Sequence, residues 1–177
     1  MRGGPAEDRP DGFRRVESLL SERGHPHPPC WLAASARTCA EAADALGVLT
    51  GQIAKSVIFR RRSDGVAVLV VASGDRRVDE HKVAALVGPI GRADAAFVKQ
   101  QTGFSIGGVA PVAHARPSVV LVDRELFRFG QIWAAAGHPN GVFRLSPDEL
   151  LALTGAPAAD VVVNGVAAGE MDKAEPS

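Results

Sequence analysis

The stretch "SVIFRRRSDGVAVLVVAS", residues 56–73, restricts the fold more than any other part of this chain. Two β-rich runs flank Asp64-Gly65, and an Asp-Gly pair supplies the positive φ angles of a tight two-residue hairpin turn. At least part of the sheet must therefore be antiparallel.

Helical signals surround this hairpin. "FRRVESLLSERG" puts Phe13, Val16, Leu19 and Leu20 on one face and stops at Gly24. "TCAEAADALG" opens with Thr38 and Glu41 in capping-box spacing and closes at Gly47. Asp79 caps a helix that runs through Val83, Leu86 and Val87 to Gly88, and Asp94 caps another that runs through Phe97 and Val98 to about Gly103. "SVVLVD" (118–123), "IWAAAG" (132–137) and "GVFRL" (141–145) read as strands. Ser146, Pro147 and Glu149 open a helix ending before Gly155, and "DVVVNG" reads as a last strand. Helices thus interleave with strands, which argues for α+β (mixed α/β): a single domain around a largely antiparallel sheet flanked by short helices. The expected division is a disordered tail over 1–12, one domain over 13–166, and a second disordered tail over 167–177.

At 177 residues the chain can bury one core without covalent staples. Its formal net charge is zero, so no global field draws it to a phosphate backbone, and nucleic-acid contact must be local. Arg60, Arg61, Arg62, Arg76 and Arg77 offer such a patch, or else a solvated strand end. Two cysteines are too few for a disulfide framework, and no secretory leader pattern opens the chain, which suits a reducing cytoplasm. The apolar run Val66 to Ala72 is too short to span a bilayer.

Several chemistries lack an essential part. Gly103 and Gly108 have P-loop spacing but are followed by Val109 and Ala110, not by Lys and Ser or Thr. No G-x-G-x-x-G follows a strand, and the G-x-S-x-G string at Gly103–Gly107 follows a helix instead of the strand that a nucleophile elbow requires. His25, His27, Cys30 and Cys39 match no common zinc spacing, and "HPHPPC" reads as a stiff connector with Cys30 and Trp31 tucked against the core. No metal and no cofactor are expected.

Two features remain. "QTGFSIGGVAPVAH", residues 101–114, either punctuates the helix before it or presents backbone N–H groups to a ligand oxygen. Lys55, in "GQIAKSVIF", either snorkels from a buried strand or holds a phosphate or carbonyl oxygen as a point charge.

Taken together, "GQIAKSVIFR", "VLVVASGDRRVDEHKVAALVG", "TGFSIGGVAPVAH" and "AAGHPNGVFRLSPDEL" resemble, in order and spacing from about Thr38 to Gly155, the YbaK-like, prolyl-tRNA-synthetase-associated editing domains. The resemblance implies a mixed α/β fold and a trans-editing hydrolase. Its reaction would cleave the ester of a mischarged aminoacyl-tRNA, a small amino acid on tRNA-Pro or tRNA-Cys, by substrate-assisted attack of water. It implies Lys55, Gly107 and Gly108 as catalytic residues, the amides of Gly107 and Gly108 holding the carbonyl oxygen and Lys55 the terminal adenosine or its phosphate. Ser56, Ile106, Val109, Ala110, Pro111, Gly137 and His138 would bind substrate. Some alanine-editing relatives have Asn where this chain has Ser56. The implied partners are aminoacyl-tRNA and an aminoacyl-tRNA synthetase such as prolyl-tRNA synthetase. Read from the residues alone, His138 is an acid or base near neutrality or a histidine satisfied in a turn, and Asp75 and Asp79 are loop and helix caps. His114 could face RNA. Two other readings stay open: a non-catalytic module binding aminoacyl-tRNA or a synthetase, and a small-molecule-binding domain unrelated to RNA.

Overall fold

In the computed structural model, residues 9–164 are described. Of the tails expected over 1–12 and 167–177, residues 1–8 and all of 167–177 lie outside that range, as do residues 165 and 166, whereas Asp11 and Gly12 belong to the first helix. The first helix, α1 (Asp11–Glu22), starts two residues ahead of Phe13 and buries Phe13, Val16 and Leu20. β1 (Cys30–Trp31) follows, then α2 (Cys39–Leu46). The Thr38–Glu41 capping box forms as read, the Glu41 N–H donating to Thr38 Oγ1 and the Thr38 N–H to Glu41 Oε1.

A 3-10 turn at Thr50–Gln52 leads into β2 (Ile53–Arg61), which turns at Asp64-Gly65 into β3 (Ala67–Ser73). The two strands pair in one unbroken antiparallel register from Ala54↔Ser73 to Arg60↔Ala67. β3 is buried throughout because it is covered on both sides: Leu69 and Val71 pack in one cluster, Val68, Val70 and Ala72 in another. Each such valine contributes about 1.5–3 kcal/mol by leaving water.

Beyond it come α3 (Glu80–Val87), β4 (Ile90–Arg92), α4 (Ala95–Thr102), β5 (Val119–Asp123), β6 (Ile132–Ala135), β7 (Gly141–Leu145), α5 (Pro147–Thr154) and β8 (Ala158–Ala159). Among the described residues the sheet has eight strands, ordered β1-β7-β6-β2-β3-β5-β8, with β4 pairing β2 off that path. Four pairings are antiparallel, and β2 with β6, β3 with β5 and β5 with β8 are parallel. The fold is thus mixed α/β in a single domain. α1, α4 and α5 share one core cluster, α3 covers the opposite face, and α2 packs with Ile53 and Trp133 in a third cluster.

The last strand differs from expectation. Among its described residues, 160–164, "DVVVNG" forms one isolated bridge, Val162 to Val78, and β8 sits just before it at Ala158–Ala159. Val161 and Val162 are apolar because they fill the core beside Val83, not because they extend a ladder. β1 and β4 carry no readable period, being two and three residues long.

Candidate active site

The topology opens a split in the sheet. β2 runs parallel to β6 only through Ala54↔Ala134, and meets β4 only from Phe59↔Arg92 onward. From Ser56 to Ile58, β2 is paired with β3 alone. A cleft of about 370 Å³ occupies that gap, within the range of small-ligand sites. Its walls are apolar, with Ala42, Ile53, Val98, Val109, Trp133 and Val142 prominent, and Arg37 stands at the lining with the 60% exposed Ile106.

Lys55 and Ser56 line this cleft from β2. The Ser56 hydroxyl is buried and has no hydrogen-bond partner, the one such side-chain atom among the described residues. A buried hydroxyl left in that condition costs about 1–3 kcal/mol, so a ligand group that satisfies it is favoured there.

The glycine segment forms the opposite lip. α4 ends at Thr102, and a turn follows in which the Gly108 N–H donates to Ser105 O at 3.0 Å. Gly107, at φ +98°, lines the cleft with Ile106 and Val109, whereas Gly108 does not. The Gly108 amide, expected at a ligand oxygen, is instead committed to its own turn. A Cβ on Gly108 would lie 2.7 Å from His138 Cα, so its role here is close packing of two backbones. Ala110 and Pro111 are buried beneath the lip and do not line the cleft.

His114 faces inward, not toward solvent-borne RNA. Its Nε2–H donates to Ala110 O at 2.7 Å, and its Nδ1 meets Ser118 Oγ at 2.8 Å. Burial, helped by the nearby Arg15 charge, holds its pKa below the ordinary histidine value despite the Ala110 bond. Arg15 donates to Thr102 O at 3.3 Å and to Ala113 O, and stands 4.7 Å over the Phe104 ring. Arg15 and His114 thus pin the loop from behind.

The third wall is Gly137-His138-Pro139. Gly137 packs on the Gly12 backbone outside the cleft, whereas His138 and Pro139 line it. His138 Nδ1 accepts the Asn140 N–H at 3.0 Å, which leaves the proton of the neutral ring on Nε2. Burial keeps its pKa below the ordinary value, so the ring is a neutral donor and not a base at that nitrogen. Trp31 stacks on it, 4.8 Å between centroids and 27° from parallel, with Arg9 4.5 Å above the indole. Trp31 was legible only as a core residue, since no periodic signal ties residue 31 to 138.

Other residues weighed from the sequence lie elsewhere. Asp79 caps α3, whereas Asp75 forms ion pairs with Arg128 at 2.7 Å and Arg76 at 3.3 Å. Burial raises the Asp75 carboxyl, but the Arg128 and Ser73 hydrogen bonds outweigh it and hold it below the usual range. Asp123, fully buried, accepts the Ser73 and Glu125 amides and is pushed up by burial. Arg61 pairs with Asp64, Arg62 donates to Ile90 O, and Arg60 lies 5.3 Å over Phe97, so the arginine run is tied locally. His25 and His27 contact Arg144, Cys39 lines the cleft, and no group of three metal-ligating side chains occurs among the described residues.

Comparison with known proteins follows the same stretch of chain. The family profile described as "Aminoacyl-tRNA editing domain" matches residues 33–153. The uncharacterized protein YwhH of Bacillus subtilis (strain 168) is 38% identical over 117 residues, covering 66% of this chain and 74% of that protein. The proline–tRNA ligase of Thermoanaerobacter sp. (strain X514) is 30% identical over 94 residues, which are 51% of this chain and 16% of the ligase. A crystal structure of a candidate trans-editing enzyme for prolyl tRNA synthetase superposes with a TM-score of 0.83 at 42% identity, covering 89% of this chain and 100% of the other.

Proposed function

The chain belongs to the aminoacyl-tRNA editing domain family, and from that premise we propose that it is a trans-acting deacylase, hydrolysing the ester of a mischarged aminoacyl-tRNA in the cleft beside β2. The observation that carries this reading is the convergence of Lys55, Gly107 and His138 on one apolar cleft. An aminoacyl ester is already activated, so the site needs to hold it, orient water and stabilise the developing oxyanion.

Gly107 N–H and His138 Nε2–H are the donors that suit the carbonyl oxygen, because the Gly108 amide is engaged. Lys55 would anchor the terminal adenosine or its phosphate. The vicinal ribose hydroxyl would orient the attacking water. Ser56 is not the nucleophile in this scheme, since its hydroxyl has no base beside it to take the proton. Apolar walls that include Ala42, Ala54 and Ala134 favour a small aminoacyl group, though one methylene is worth only about 1–3 kcal/mol of discrimination. The RNA is tRNA-Pro or tRNA-Cys on this reading, and a prolyl-tRNA synthetase is the natural partner.

The test is deacylation of tRNAs charged with alanine, cysteine, serine, threonine or proline, with Lys55→Ala beside the native protein. Hydrolysis of one or two members, lost in the variant, is the expected outcome. Binding without cleavage of any member would replace this reading with that of a binding module.

A further inference from the structure

The open edge of β2 carries polar groups of its own at Ser56. In the β2–β3 register, Gly74 N–H donates to Ile53 O and Arg61 N–H to Val66 O, so odd-numbered residues of β2 turn their peptide groups toward β3. Even-numbered residues turn theirs the other way, as Arg62 N–H does in donating to Pro89 O. Ser56 therefore directs its main-chain N–H and C=O to the edge where neither β6 nor β4 pairs with it. Its buried hydroxyl, also without a partner, adds a third group at the same residue.

Two other side-chain acceptors in the cleft are engaged. Thr38 Oγ1 accepts from Glu41 N–H, His138 Nδ1 accepts from Asn140 N–H, and no carboxylate lines the cleft among the described residues. An amino group entering this cavity thus meets a peptide carbonyl and a hydroxyl.

Building on the deacylase reading, we propose that Ser56 is the residue that reads the free α-amino group of the aminoacyl ester. Its C=O and Oγ accept from the amine, while its N–H can join those of Gly107 and His138 at the acyl oxygen, as an added strand would use a sheet edge. The substrate class is therefore esters of small amino acids with an unmodified α-amino group. Desamino esters lose this contact and are cleaved more slowly, and N-acylated esters lose one of its donors.

The test is a cycle over two substrates and two proteins, with a second variant as a control. The substrates are the small aminoacyl-tRNA that the native protein cleaves and the same tRNA bearing the acyl group without its amine, propionyl in place of alanyl if alanine is the residue. The proteins are native, Ser56→Ala, and Ser56→Cys as the near-isosteric variant with a weak acceptor. Removing one hydrogen bond to an amine should lower kcat/KM about tenfold on the aminoacyl substrate. On the desamino substrate both variants should match the native protein, so the losses are non-additive. Equal losses on both substrates, or no loss on either, would overturn the assignment and leave the deacylase reading standing. If the native protein cleaves no aminoacyl-tRNA, both readings fall together.

Discussion

At Gly108 a methyl group would reach backbone atoms of residue 138, not the end of a flexible side chain, so the two lips of the cleft must part to admit it. Gly108→Ala should cost about 1–3 kcal/mol of stability through overpacking, and more activity than that loss explains, as read by thermal unfolding beside deacylation rates. His114 makes a different prediction. Burial holds its folded-state pKa below the unfolded value, so the folded chain binds fewer protons there. Its stabilising contribution is present above about pH 6.5 and declines as pH falls from there toward the folded pKa. Urea unfolding at pH 7.5 and 5.5 should show this loss, and His114→Gln, which keeps a donor for Ala110 O, should lessen it. A variant with undiminished acid sensitivity would place the effect on other groups.

Among the elements, α1 and β1 lie outside the matched stretch 33–153, yet they back the cleft. Phe13 meets Trp31 edge-on at 5.4 Å, Trp31 stacks on His138, and Arg15 holds the carbonyl of Ala113. Trp31→Ala should open His138 to water and move its pKa up toward the ordinary value, measured by NMR titration of the ring. An unmoved pKa would mean that Trp31 does not shield the ring. These elements also show where sequence reasoning reached and where it stopped. The hairpin, the capping boxes at Thr38 and Ser146, and the caps at Asp79 and Asp94 were legible because each rests on residues within four positions of one another. Lys55, Gly107 and His138 could be put in one site only by resemblance, since their meeting depends on how β2, β6 and the loops are arranged. The Trp31 stack and the open edge at Ser56 left no mark in spacing. They arise from tertiary register, and for a strand as short as β1 there is no period to read.

For the whole molecule, the balance of 20 basic and 20 acidic residues gives no net field to gather RNA. Few phosphates would then be neutralised, and the affinity for tRNA should fall only shallowly with salt, a log–log slope of about −1 to −3. A slope near −6 would point to an extended basic surface that the fold does not suggest. The functional asymmetry comes instead from the sheet, where two parallel residues of pairing with β6 give way to a gap before β4. The measurement that tests this account most directly is an amide NMR titration with a non-hydrolysable, amide-linked 3′-aminoacyl adenosine carrying a small amino acid. The account predicts that the largest shifts fall on Ser56, Gly107 and the residues around His138, while Lys82 and the others that anchor the chain near Asp160 stay still. Shifts centred away from the β2–β6 gap would contradict it.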